Sequence, residues 1–166
     1  MKISMYQSLI PVAIHNLENL SAILKKAATH AATKKIDESV LLNARLFPDM
    51  LPLSRQVQIV CDTAKAGACR LAEIAIPSHP DTETNFLQLE ERINKTIELL
   101  KTIKADQIDN KEDLKISYHQ HGKDRNYIGL PYLLNYVLPN LYFHISIAYA
   151  ILRHNGIEIG KKDYLG

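Results

Sequence analysis

The chain has 166 residues, of which 46% are hydrophobic and 23% charged, with a formal net charge of +2. That length holds one full core and is short for two, and the composition is that of an ordinary globular domain. The small charge on scattered lysines argues against a nucleic-acid partner. No run reaches the roughly 18 to 20 apolar residues of a membrane span, because Asn135, Asn140 and His144 interrupt the best candidate.

From Ser4 to about Thr29, Ile10, Ala13, Leu17, Leu20, Leu24 and Ala27 alternate steps of three and four, which predicts a first amphipathic helix. Pro11 leaves two readings open: Ser4 caps a helix bent at the proline, or the regular part begins there. His15 and His30 have no partner at metal-binding spacing and read as surface residues. After Lys34 and Lys35, the stretch DESVLLNARL predicts one or two helical turns capped by Asp37, and Pro48 and Pro52 frame a turn, FPDMLP.

Leu53, Val57, Val60, Ala64, Gly67, Leu71 and Ile74 hold an unbroken four-three alternation and predict a second long helix over 53–74. Gly67 on that stripe costs about 1 kcal/mol of helix propensity relative to alanine, which points to close approach of a neighbouring helix as compensation. Cys61 and Cys69 stand about 12 Å apart along this helix at 1.5 Å per residue. A disulfide needs α-carbons within about 7 Å, so they do not pair, and with no signal-peptide pattern at the N-terminus a reducing cytoplasm is the expected setting. Cys61 reads as a small buried hydrophobe and Cys69 as the more exposed of the two, neither beside a cationic cluster that would activate it.

IPSHPDTET is a loop by its prolines and small polar residues. A third helix starts near Thr84 or Asn85, where Asn85 and Gln88 have capping-box spacing, and turns Phe86, Leu89, Ile93, Thr96, Leu100 and Ile103 inward. Between 106 and 129 the helical period fails. Leu114, Ile116 and Tyr118 alternate with polar residues before QHGKD and NYIG, which predicts a small hairpin or ordered loop. His119 and His121 there share a strand face at a spacing that can chelate a metal, although an exposed histidine pair more often binds adventitious nickel or nothing.

The last helix carries Val137, Leu141, Ile145, Ala148 and Leu152, and Gly156 after Arg153 and His154 ends it. Pro139 removes an amide hydrogen within the pattern, so a kink or break is expected between Asn135 and Asn140. Asn140 and His144, four apart, project from one face. Four long amphipathic helices with two long connections predict an all-α, antiparallel four-helix bundle as a single domain over residues 1–166, with the hairpin between helices 3 and 4.

RLFPDM (45–50), QVQIVCDTAK (56–65), PNLYFHISIAYAILRHNG (139–156) and the closing GKKDYLG resemble, in that order and nearly end to end, a bacterial family catalogued as a domain of unknown function within the DinB/YfiT-like superfamily of four-helix bundles. The resemblance implies a divalent metal on three histidines, one from the second helix and two from an H-x-x-x-H on the fourth, and, in some relatives, thiol-cofactor transfer or hydrolysis. Aligned on Leu152, Arg153 and Gly156, the second of those histidines is His144 and the first has become Asn140. The second helix has no histidine. Its nearby donors are Gln56, Gln58 and Asp62. One imidazole with amide oxygens is a poor set for Zn²⁺ or Ni²⁺, so any such ion is expected to be weakly held.

The candidate site is therefore His144, Asn140, Gln56 and Asp62. His144 has two readings: a core or boundary histidine bonded to Tyr132, Tyr142 or Tyr149, or the polar group of a bundle pocket with Asn140 and Gln56. Asp62 lies roughly 160° from the core stripe and has two structural readings as well, a surface pair with Lys65 or a clamp on the FPDM turn through Arg45. Three functions follow. One is a bundle without the metal triad that binds a small molecule around His144. Another is a metal-dependent thiol transferase or hydrolase with an atypical site, and the third is a non-catalytic homodimer, motivated by Ile59 on the side of the second helix away from the stripe.

Overall fold

A computed structural model describes residues 3–120 and 122–166. Four helices of 17 residues or more carry the core: α1 (Met5–Lys34), α3 (Leu53–Leu71), α4 (Phe86–Thr102) and α7 (Leu138–His154). Short helices α2 (Glu38–Leu42), α5 (Ala105–Ile108), α6 (Gly129–Tyr132) and α8 (Lys161–Leu165) sit in the connections. Strands β1 (Lys115–Gln120) and β2 (Lys123–Ile128) pair antiparallel, with Lys115 opposite Ile128 and Gln120 opposite Lys123. The fold is mostly helical with one small hairpin, and among the described residues no helix is long and apolar enough to cross a membrane.

Local chemistry accounts for these boundaries. Ser4 caps α1: its hydroxyl accepts from the Gln7 N–H while the Gln7 side chain accepts from the Ser4 N–H. The helix then runs on through exposed Pro11, which decides between the two readings of that end in favour of the Ser4 cap. Asp37 caps α2 through the Ser39 N–H. Asn85 caps α4 through the Gln88 N–H, but the Gln88 side chain reaches back to Thr84 and not to Asn85, so the reciprocal half of the box is displaced by one residue.

The stripes read from periodicity close on each other, except that α3 stops at Leu71, three residues short of the expected end, and leaves Ile74 36% exposed. Leu17, Leu20 and Leu24 of α1, Leu53, Val57 and Val60 of α3, Leu89 and Ile93 of α4, and Leu141 and Leu152 of α7 are all fully buried in one cluster. Helices α3 and α7 run antiparallel in close contact, which Gly67 makes possible. A Cβ at that position would lie 2.6 Å from Val137 Cγ1, inside any tolerable van der Waals distance.

The break expected near Pro139 is a single π-helical turn, Leu133–Val137, in which the Leu138 N–H reaches back five residues to the Leu133 carbonyl. The wider turn leaves Pro139 in the first turn of α7, where an N–H is not required of it. At the far end Gly156 adopts φ +89° and the Ile157 N–H bonds the Leu152 carbonyl, returning buried Ile157 onto the helix.

Two further contacts tie the periphery down. Arg70 of α3 stacks 3.6 Å over the Tyr118 ring and donates to the Tyr132 hydroxyl at 3.0 Å, holding the hairpin to the bundle through a cluster with Tyr127 and Tyr136. The closing GKKDYLG packs α8 onto α1. Exposed His15 meets the Leu165 carbonyl at 2.7 Å, and the Asn19 amide donates to the Tyr164 carbonyl.

Candidate functional site

Gln56 lies one turn into α3 and is buried beneath the FPDM turn, where its Nε2 donates to the Leu51 carbonyl at 2.9 Å. A carbonyl only accepts, so this bond orients the amide and leaves Oε1 facing α7. There it lies 2.7 Å from His144 Nδ1. Oε1 only accepts as well, and so Nδ1 carries the proton and the neutral ring presents an Nε2 lone pair. Burial first, and the Arg55 guanidinium second, lower the His144 pKa below that of a free imidazole, so the ring is neutral at neutral pH. Phe143, itself half exposed, stands edge-on to the imidazole with centroids 5.2 Å apart.

One heptad further along α3, the Asn140 amide donates to the Thr63 hydroxyl at 2.8 Å. The structure thus brings Gln56 to His144 and sets Asn140 one turn away on a different partner. None of the three tyrosines considered for His144 is its partner: Tyr132 takes its bond from Arg70 and Tyr149 packs edge-on to Tyr164. His144 is not among the residues that line the hollows of about 540, 460, 240 and 220 Å³. Its unbonded nitrogen belongs to the outer seam between α3 and α7.

Asp62 turns the other way, toward α4, and stands apart from these three residues. Its Oδ1 lies 3.0 Å from both Lys65 Nζ and Arg92 Nη2. The pairing with Lys65 is present, but Lys65 is 4% exposed and so no surface residue. Arg45 clamps the FPDM turn alone, through the Met50 carbonyl, so the reading that joined it to Asp62 is replaced. The physical reason is the angular position of Asp62, which the geometry of α3 points at the α4 groove and the loop above it.

That groove holds an arrangement periodicity did not single out. Arg92 is 2% exposed. Its Nη1 donates to Glu83 (2.9 Å) and the Pro80 carbonyl (3.1 Å), and its Nη2 sits 3.0 Å from both Asp62 and Asp81. Glu83 also accepts from Gln58, and Arg55 bridges Gln58 to Asp81. Burial works against the Glu83 charge, but the bonds from Arg92 and Gln58 outweigh it and hold its pKa below the usual glutamate value. The available signal was a charge at stripe spacing: Arg92 follows Leu89 by three and precedes Thr96 by four.

The remaining candidates carry less. Both cysteines are fully buried, which corrects the expectation of a more exposed Cys69, and burial pushes the Cys61 thiol up to about 12, far from a reactive thiolate. His119 pairs with Asp124 at 2.8 Å on the exposed hairpin, while its expected companion, His121, lies outside the described residues. Among the described residues no three His, Cys, Asp or Glu side chains converge at metal-binding spacing.

A model of the family described as a domain of unknown function, DUF1993, matches residues 5–165. The crystal structure of a DinB family member protein from Shewanella denitrificans superposes with a TM-score of 0.91 at 42% sequence identity, covering 97% of this chain and 91% of that one. No curated protein matches.

Proposed function

The chain belongs to the DUF1993 family within the DinB-like superfamily, and from that membership and the α3–α7 seam we propose that it is an antiparallel four-helix bundle of the DinB kind whose site works through one neutral imidazole and not through a metal triad. In this reading His144 Nε2 binds a small molecule by accepting a proton or hydrogen bond from an O–H, N–H or S–H group. The observation that carries it is the relay from the Leu51 carbonyl through Gln56 to His144 Nδ1, which fixes the tautomer. A histidine held in one tautomer by a partner that cannot donate is a preorganised acceptor.

The donor set does not fit Zn²⁺ or Ni²⁺. The Gln56 oxygen is spent on His144, and Asn140 offers only the amide oxygen left over from its bond to Thr63. Neutral amides are poor ligands for these ions in any case, and the charge acting on the ring is the Arg55 guanidinium, a cation. The test has two arms. Long-range ¹H–¹⁵N spectra at pH 7.5 are expected to show His144 protonated at Nδ1, with phenol moving its Nε2 resonance and anisole, which cannot donate, leaving it unchanged. Elemental analysis of untagged protein after incubation with Zn²⁺ or Ni²⁺ is expected to find less than about 0.1 ion per chain, and stoichiometric metal that disappears in His144→Ala overturns the reading.

A further inference from the structure

The connection between α3 and α4 includes a strap over residues 75–85 that has neither helix nor strand. Nearly everything that holds it converges on one side chain. Arg92 takes the Pro80 carbonyl, Asp81 and Glu83 from the strap and Asp62 from α3. Gln58 and Arg55 of α3 repeat the link through Glu83 and Asp81.

His79 lies at the centre of this strap. It is half-buried, lines a hollow of about 240 Å³ together with Glu83, Glu91, Arg92 and Lys95, and has a buried Nδ1 with no hydrogen-bond partner among the described residues. The charged groups around it are Lys65 and Asp62 from α3, Glu91, Arg92 and Lys95 from α4, and Glu83 from the strap itself. Two of the carboxylates are already engaged: Asp62 is shared by Lys65 and Arg92 at 3.0 Å each, and Glu83 accepts from Arg92 at 2.9 Å and from Gln58 at 2.8 Å. A proton on His79 therefore adds a cation near buried Lys65 and Arg92, with Asp62 and Glu83 already engaged.

We propose that residues 75–85 form an acid-released strap, in which protonation of His79 repels Lys65 and Arg92, loosens the Arg92 grip on Pro80, Asp81 and Glu83, and frees the strap from the α3–α4 groove while the helices stay folded. Burial, then Lys65 and Arg92, keep His79 neutral at neutral pH by lowering its pKa, so the strap is seated there. Arg92 and Gln58 outweigh burial and hold the Glu83 pKa below the usual glutamate value, so the strap's own anchor keeps its charge where a histidine titrates. This device is independent of what His144 does.

A nitroxide at Thr82→Cys reports on it directly, since Thr82 is exposed and both native cysteines are buried and stay unlabelled. The electron paramagnetic resonance spectrum is expected to be immobilised at pH 7.5. The mobile fraction should rise several-fold by pH 5 with helical circular dichroism unchanged. His79→Gln, which stays neutral, should abolish the rise, while His144→Gln should retain it. A spectrum equally immobile at both pH values overturns the proposal, as does an acid response of the same size in His79→Gln.

Discussion

At the scale of single residues, the seam between α3 and α7 turns on which atom of each amide can donate. Gln56 is oriented by a carbonyl on one side and so presents only an acceptor to His144 on the other. Replacing it with leucine keeps the volume approximately and leaves the Nδ1–H half-buried without a partner, which costs about 1–3 kcal/mol. Urea unfolding of Gln56→Leu checks the cost, and the ¹⁵N spectra should show the tautomers mixing. Because burial and Arg55 lower the His144 pKa, its NMR titration in the folded protein should have its midpoint below 6.5. A midpoint at or above that value would contradict the environment described for the ring.

At the scale of elements, two devices set how the helices meet. The π turn absorbs Pro139 and delivers Val137 against Gly67, so the glycine is required by contact and not by backbone angle. Gly67→Ala gains about 1 kcal/mol in helix propensity but forces a β-branched neighbour aside at 2.6 Å. Overpacking of this kind costs about 1–3 kcal/mol, so the variant should melt lower than the parent, and adding Val137→Ala should recover part of the loss. Between α3, α4 and the strap, Arg92 is the common partner of three carboxylates. Arg92→Met strands Glu83 in a nearly buried position while Asp62 and Asp81 stay 41% exposed and hydrated. The expected loss is about 3 kcal/mol, the low end for breaking a buried pair, measurable by the shift in urea midpoint.

For the whole molecule, the titratable groups combine to make stability fall on acidification in two steps. His79 and His144 have folded pKa values below 6.5, so the unfolded chain takes up protons that the folded one refuses; their contribution is complete above pH 6.5 and is lost as the pH drops below it. Glu83 has a depressed carboxylate pKa, so its contribution is complete above about pH 4.5 and disappears as the pH falls from there. Melting temperatures at pH 8, 6.5, 5 and 3.5 should decline between each of the last three points and stay nearly level between the first two. His79→Gln with His144→Gln should remove the upper step alone. What the amino-acid order determined by itself was local: the stripes of α1, α3, α4 and α7, the caps at Asp37 and Asn85, the left-handed stop at Gly156, a hairpin or ordered loop before the last helix, and the position of a disruption at Pro139, all of which rest on periodicity and short-range bonding. Only the tertiary structure decided which side of α3 each polar residue serves. Gln56 and Asp62 are six positions apart on one helix, yet the first closes on α7 and the second on α4. Spacing along a helix fixes an angle, but the partner waiting at that angle comes from residues 30 to 90 positions away, and no local pattern encodes which of them arrives.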